Sequence, residues 1–369
     1  MLSDVVVKFS EQEAYELLPT YRQVFDIPEP RLEVIAHRIS CRLCCGQVHC
    51  GRFPEEVSAP VQYGLRAKTF MSLLNVDYRL PYQKISQCFY DMYGYALNEG
   101  TIVNANEGLY ERSAEIEVQI KTGLQSSAVV HADETGGGVA GELHWFHTVC
   151  NELGCYLFVH SKRGKEALES AASLLPFMRG YVVHDCWSSY FSFDTCKHAL
   201  CHAHLLQELK ALSEQGSQWA AKMSACFLAL YQASQQGKAV VENFEAWKAH
   251  YEAICQQADR EEPPPEKTAR GRPKNSKGRN LLNRLTTYQT ELLAFACVKE
   301  VPFTNNMAEQ AIRGIKIKQK AAMCFRTLRG AEIFVRLQGV MTTLRKQGLN
   351  LFQTLLNINA KINVQLETT

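Results

Sequence analysis

Two apolar runs that each end in an aspartate constrain this chain more than anything else in it: Ser127-Ala-Val-Val-His-Ala-Asp133 and Tyr181-Val-Val-His-Asp185. Continuous runs of this length with β-branched residues read as buried strands. The segments around them follow a definite order. After the first aspartate comes a glycine-rich turn, Gly136-Gly-Gly138, then strand candidates at Leu143–Val149 and Cys155–His160. Apolar spacing predicts a helix over Lys165 to Met178, before the strand that ends at Asp185. A short helix through Trp187 and Phe191 and a strand at Lys197–Cys201 follow.

Strand, strand, strand, helix, strand, helix, strand is the succession of a ribonuclease H-like mixed sheet. The first and fourth strands of such a sheet are neighbours, which would bring Asp133 and Asp185 together. A third carboxylate, Glu309, lies one turn into a predicted helix opening with Pro302-Phe-Thr-Asn-Asn306. Carboxylates are hard oxygen ligands suited to Mg²⁺ or Mn²⁺, and two such ions can clamp the attacking and leaving oxygens of an in-line displacement. The chain has 38 acidic residues, so some fall at strand ends by composition alone. The order of the elements singles out these three, and together they point to cutting or joining of nucleic acid strands.

With 369 residues the chain can hold two or three structural units. A hydrophobic fraction of 46% and a mean hydropathy of -0.21 describe an ordinary soluble protein. No apolar run reaches membrane-spanning length and no signal peptide is evident, so a cytoplasmic, nucleoid-associated protein is expected, with no membrane partner. Its 14 cysteines are then expected as thiols or metal ligands rather than a disulfide framework.

A net charge of +2 does not predict nucleic-acid binding, but the distribution of charge does. From Gln310 to Gly330 there is no Asp or Glu, while Arg313, Lys316, Lys318, Lys320, Arg326 and Arg329 all fall there. On a helix Glu309, Arg313, Lys316 and Lys320 line one face, where a basic row beside a metal carboxylate could hold phosphates. The plainer reading is a solvated helix face, although such faces usually mix both signs. A second basic stretch, Lys267 to Arg279, offers Arg270 and Arg272 in an Arg-Gly-Arg-Pro motif. It reads equally as a minor-groove arm and as a mobile linker. The segments about it, 205 to 258 and 280 to 297, read as amphipathic helices.

Near the N-terminus, Cys41-Arg-Leu-Cys44-Cys45-Gly46-Gln-Val-His49-Cys50 has the turn of a zinc knuckle, with Cys41 and Cys44 as candidate ligands. Helices are expected at Leu65–Tyr78, Tyr82–Tyr93 and Gly100–Ile120, the last capped near Asn98. Three short helices suit a DNA-reading module and also a plain packing unit, which is commoner.

Several blocks together resemble the transposases of insertion sequence family 66, in the DDE (Asp-Asp-Glu) group. They are His131-Ala-Asp-Glu-Thr135 with Leu143-His-Trp145, His184-Asp-Cys-Trp-Ser-Ser-Tyr190, and His198-Ala-Leu-Cys-His-Ala-His204. The closing block runs from Val301 through Arg313 to Phe325-Arg-Thr-Leu-Arg-Gly330. The resemblance implies Mg²⁺-dependent cleavage and strand transfer of an insertion sequence by Asp133, Asp185 and Glu309. Its implied partners are transposon-end and target DNA, a homo-oligomer on DNA, and accessory proteins of the element.

The resemblance also brings a Cys-x-x-His feature, Cys201 and His204. Zinc there would need two further ligands that the sequence does not offer, so a structural role is the preferred reading. Such proteins usually carry an earlier Cys pair and a helical segment further upstream, so the chain is expected to be N-terminally shortened, and either His49 and Cys50 complete a distorted zinc site or the finger is incomplete. The expected division is 1–59 Cys-containing segment, 60–125 helical module, 126–204 first catalytic part, 205–300 helical insertion, and 301–369 catalytic and C-terminal helices. Two other functions stay open: a nuclease or resolvase on the same fold, and an inactive DNA-binding remnant.

Overall fold

The computed structural model of the chain describes residues 22–236, 241–265 and 274–367. The first elements form an exposed hairpin, β1 (Cys41–Cys44) and β2 (Gln47–Cys50), turned by Cys45 and Gly46 at φ 52° and 78°. Two consecutive positive φ values are what a two-residue hairpin turn requires. Cys41 pairs across the hairpin with Cys50 and is joined to it by a disulfide. The expectation of free thiols fails at this pair, and Cys41 and Cys44 do not form a two-thiolate site here. Cross-strand register brings Cys41 to Cys50, while Cys44 lies at the turn beside Cys45.

Four helices follow: α1 (Leu65–Val76), α2 (Tyr82–Tyr93), α3 (Glu99–Arg112) and α4 (Ala114–Ser126). Met71, Ile85, Phe89, Leu97 and Ile102 form a small core among the first three. Asn98 caps α3 by accepting the Gly100 N–H at 2.8 Å. The single helix expected over 100–120 is broken at Ser113, whose hydroxyl turns back to the Tyr110 carbonyl.

A five-stranded sheet comes next, from β3 (Val129–Val139), β4 (Glu142–Cys150), β5 (Cys155–His160), β6 (Tyr181–His184) and β7 (Lys197–Leu200). Its order is β5-β4-β3-β6-β7, antiparallel on the β5-β4-β3 side and parallel from β3 through β6 to β7. The strands bearing the two aspartate runs are therefore neighbours, as the succession of elements requires. Between β5 and β6 the expected long helix shrinks to α5 (Lys165–Leu168) and a 3₁₀ turn at Leu175–Phe177. Ser170 bonds back to the Ala167 carbonyl, Ser173 accepts the Leu175 N–H, and Pro176 has no N–H to give, so a regular ladder cannot continue. The short helix expected through Trp187 and Phe191 is likewise a 3₁₀ turn, Tyr190–Ser192.

From β7 onward the described chain is helical: α6 (His202–Glu214), α7 (Gln218–Ser234), α8 (Phe244–Glu261), α9 (Lys277–Thr287), α10 (Gln289–Cys297), α11 (Asn306–Ala322), α12 (Leu328–Lys346) and α13 (Leu351–Asn359). The sheet is covered on both faces. Val182 belongs to the same core as Ile315 of α11, Leu337 of α12 and Leu355 of α13, whereas the next residue, Val183, belongs to the core that holds Trp219, Phe227, Tyr251 and Leu285 of the α6–α10 group. Adjacent residues of a strand face opposite ways, so β6 serves two cores at once. Arg270 and Arg272 lie outside the described residues.

The glycine triplet is not the turn. Gly136 to Gly138 continue β3, and the reversal falls at Ala140-Gly141, with φ 52° and 85°. A Cβ at Gly137 would lie 2.0 Å from Gln319 Nε2 and 2.7 Å from Phe146 Cε2. Glycine is there so that α11 can lie directly on the strand.

Candidate active site

Register relates the two aspartates. Val129 pairs with Tyr181, Val130 with Val182 and His131 with Val183, and Asp133 and Asp185 each lie two residues beyond the last of these pairs. Neighbouring strands are about 4.8 Å apart. Asp133 Oδ1 accepts the Glu134 N–H at 2.9 Å, and Asp185 Oδ1 accepts the Trp187 N–H at 3.1 Å, an Asx turn that leads the chain away from the strand end.

Glu309 stands in the first turn of α11, and the start of that helix is anchored by Asn305. The Asn305 amide donates to the Ala132 carbonyl at 2.8 Å, its Oδ1 meets His131 Nδ1 at 2.9 Å, and its backbone N–H donates to Cys201 Sγ at 3.1 Å. Just before it, the Phe303 carbonyl accepts the His202 N–H at 3.1 Å, and the two rings stack with centroids 4.3 Å apart. The first half of β3 and the β7–α6 junction are thus both tied to the helix that carries Glu309, although Cys201 and Asn305 are 104 residues apart in sequence.

The carboxylates feel one another. Burial, reinforced by the charges of Glu134, Asp185 and Glu309, pushes the Asp133 pKa up to about 7, against the lowering effect of the Glu134 N–H. Glu309 Oε1 is buried with no hydrogen-bond partner. Mutually repelling carboxylates with an unmet acceptor oxygen are relieved by a cation. The all-oxygen donor set of Asp133, Asp185 and Glu309 suits a hard ion such as Mg²⁺ or Mn²⁺, and holding one would draw together three carboxylates whose oxygens do not all lie within 4.8 Å of one another.

A fourth carboxylate, Glu134, is not among the three that the sequence singles out. Its side chain is 1% exposed and is held by Arg163, with Nε at 3.0 Å and Nη2 at 2.8 Å from Oε1, and by the Tyr190 hydroxyl at 2.5 Å from Oε2. The Arg163 guanidinium lies over the rings of Trp145, at 4.9 Å, and Trp187, at 4.3 Å. Tyr190 in turn stacks on His184 at 4.5 Å, and burial pushes the His184 pKa down to about 3, keeping the ring neutral. The turn after Asp185 is thereby clamped to the residue after Asp133. Only the acidic pair Asp133-Glu134 hints at this in sequence, since Arg163 and Tyr190 are brought in by the fold.

On α11 the basic row holds in part. Arg313, Lys316 and Lys320 are exposed, and Lys316 Nζ donates to the Gly136 carbonyl at 2.7 Å. Lys318 points the other way: it is buried, with Nζ 5.7 Å from the Tyr82 ring centroid, 5.6 Å from that of Phe334, and 3.3 Å from the Asn75 carbonyl. Burial lowers its pKa to about 8. Arg329 is engaged by Glu107 at 2.8 Å. Cys201 and His204 come together beside Glu309, with one ligand atom from each of the three residues within 4.8 Å of the others.

A ribonuclease H-like sheet divided from its third carboxylate helix by a run of helices defines the DDE class of transposases. The chain belongs to the IS66 family of transposases: the model of that family, described as "Transposase IS66 family", matches residues 62–333. The match takes in the α1–α4 helices, the sheet, the intervening helices and α11. No curated protein matches the chain. Among the described residues no helix is long and apolar enough to cross a membrane.

Proposed function

We propose that this transposase cleaves the ends of its insertion sequence and joins them to target DNA, with Asp133, Asp185 and Glu309 as ligands of Mg²⁺ or Mn²⁺. The observation that supports this reading is the parallel pairing of β3 with β6, whose register, continued two residues beyond the His131–Val183 pair, would bring Asp133 opposite Asp185, while the Glu309 charge acts on the same Asp133 carboxyl. When bound, the metal would supply Lewis acidity to the attacking and leaving oxygens of an in-line displacement. The side chains do the rest. Asp133, whose pKa burial and neighbouring carboxylates raise to about 7, would hold the ion as the carboxylate. Asp185 is oriented by the Trp187 N–H, and Glu309 is held by the Asn305 anchor. The Glu134–Arg163–Tyr190 clamp ties the middle of β3 to the turn after β6. Arg313, Lys316 and Lys320 extend from Glu309 along an exposed face and would receive the phosphates of the approaching strand.

The helices α1–α3 are a candidate DNA-reading module, and the active form is a homo-oligomer on paired ends. Strand joining separates this reading from a nuclease on the same fold. Incubating the protein and Mg²⁺ with a labelled duplex carrying the element's end and a circular target should give covalently joined products that require a free 3′-hydroxyl. Cleavage without joined products would leave a nuclease.

A further inference from the structure

We propose that Cys201, His204 and Glu309 form a site for one divalent transition ion of the zinc type, separate from the hard-cation site at Asp133 and Asp185. The two sites share only Glu309, so this inference does not rest on the role given to the aspartates.

The ligand set comes from two elements that the fold already holds together. Cys201 caps α6 and His204 lies in its first turn, three residues on, so sulfur and imidazole point to one side. Glu309 approaches from α11, and the three ligand atoms lie within 4.8 Å of one another. Around a tetrahedral zinc, with bonds of about 2.0 to 2.3 Å, ligand atoms sit roughly 3.5 Å apart, so closing the site takes a contraction of about 1 Å. His204 is exposed and free to make that movement. Among the described residues no other three Cys, His, Asp or Glu side chains are grouped in this way.

Donor chemistry selects the ion. Thiolate, imidazole and one carboxylate suit Zn²⁺ or Co²⁺ and are poor ligands for Mg²⁺, which prefers oxygen throughout. The sulfur is prepared as an acceptor: Cys201 Sγ takes the Asn305 N–H at 3.1 Å, the kind of outer hydrogen bond that orients a metal-bound thiolate. Glu309 brings a buried oxygen, Oε1, with no protein partner. Three protein ligands leave the fourth position to water. The buried pair Cys150 and Cys155 makes the contrast, since they face each other across β4 and β5 with a threonine hydroxyl as neighbour and no nitrogen ligand. An ion at Cys201 and His204 would draw Glu309 toward α6, and so compete with the hard cation for that carboxylate.

The test is titration of the reduced, metal-free full chain with Co²⁺, whose absorption reports both sulfur ligation and tetrahedral geometry. The background carries Cys41, Cys44, Cys45 and Cys50 all changed to Ser, which removes the hairpin sulfurs. One Co²⁺ per chain should bind with a sulfur-to-cobalt charge-transfer band that one equivalent of Zn²⁺ abolishes. Cys201→Ser should lose that band, and His204→Ala, at an exposed position that cannot threaten the fold, should weaken binding at least about 10-fold. Asp133→Asn and Asp185→Asn should leave the band in place. No sulfur band in the background protein, an undiminished band in Cys201→Ser or His204→Ala, or loss of the band in the aspartate variants would each overturn the proposal. A persistent band in an Asp185→Asn protein that still cleaves DNA would instead sink the hard-cation reading and leave this one standing.

Discussion

The side-chain amide of Asn305 donates to the carbonyl of Ala132 at 2.8 Å, one residue before Asp133 and four before Glu309. This single bond crosses 173 residues of sequence and fixes the helix bearing one carboxylate to the strand bearing another. Asn305 is buried, and its removal leaves the Ala132 carbonyl and His131 Nδ1 without their partner. Asn305→Ala should therefore cost about 1–3 kcal/mol in urea unfolding and should also weaken Mn²⁺ binding. Loss of stability with unchanged Mn²⁺ affinity would show that the anchor does not position Glu309.

Asp133 gives the metal-free protein a characteristic pH dependence. Its folded pKa of about 7 lies above the ordinary carboxylate value of 3.8, because burial and three neighbouring carboxylates disfavour the ionised form. Stability from this group is therefore full below about pH 4 and is lost as pH rises through 7. Asp133→Asn should gain on the parent by on the order of 3 kcal/mol between pH 4 and pH 8, measured by denaturation in chelator. Comparing the two proteins at each pH cancels the opposite trend from His184 and His202, which are held neutral in the fold. Mg²⁺ should erase the difference by stabilising the parent alone.

Arg163 neutralises a carboxylate that has almost no access to water. Arg163→Ala would leave Glu134 with only the Tyr190 hydroxyl, so it should destabilise the protein by about 2 kcal/mol. Glu134→Gln in the same background should recover much of that loss, since no buried charge remains. Failure of the second change to compensate would indicate that Arg163 acts through its stacking on Trp145 and Trp187 instead.

The basic helix separates into two kinds of lysine. Lys316→Ala with Lys320→Ala should leave stability near the parent's and lower the slope of log affinity against log salt by up to about 2, as two phosphate contacts are lost. Lys318→Ala should do the reverse, costing about 1–2 kcal/mol of stability while leaving the salt slope alone, because its ammonium is spent on Asn75, Tyr82 and Phe334. Gel shifts across a salt series, paired with urea melts, read both.

What sequence conveyed was whatever depends on local pattern. The apolar runs before Asp133 and Asp185 are strands, although β3 continues six residues past Asp133 to Val139; α2 falls at Tyr82–Tyr93 as the spacing requires, and Arg313, Lys316 and Lys320 of the row on α11 are exposed. What it missed depends on distant partners. Gly136-Gly-Gly138 reads as a turn because glycine usually signals one, and only the pressure of Gln319 against Gly137 reveals it as strand. Lys318 is indistinguishable from its neighbours until Tyr82 and Phe334 close over it. Cys201 and His204 lacked a third ligand because Glu309, more than a hundred residues on, is delivered by the fold. Cys41 was paired with Cys44 by spacing, whereas hairpin register pairs it with Cys50.

The most direct measurement is Mg²⁺-dependent cleavage of an end-containing duplex by the parent and by Asp133→Asn, Asp185→Asn and Glu309→Gln, with DNA affinity followed by gel shift on the same preparations. Each substitution keeps side-chain volume and removes the charge that holds the cation. Cleavage should fall at least about 1000-fold in all three, the scale of losing several kcal/mol of transition-state stabilisation, while affinity stays near the parent's. A parental cleavage rate in any one of them would remove that carboxylate from the metal centre.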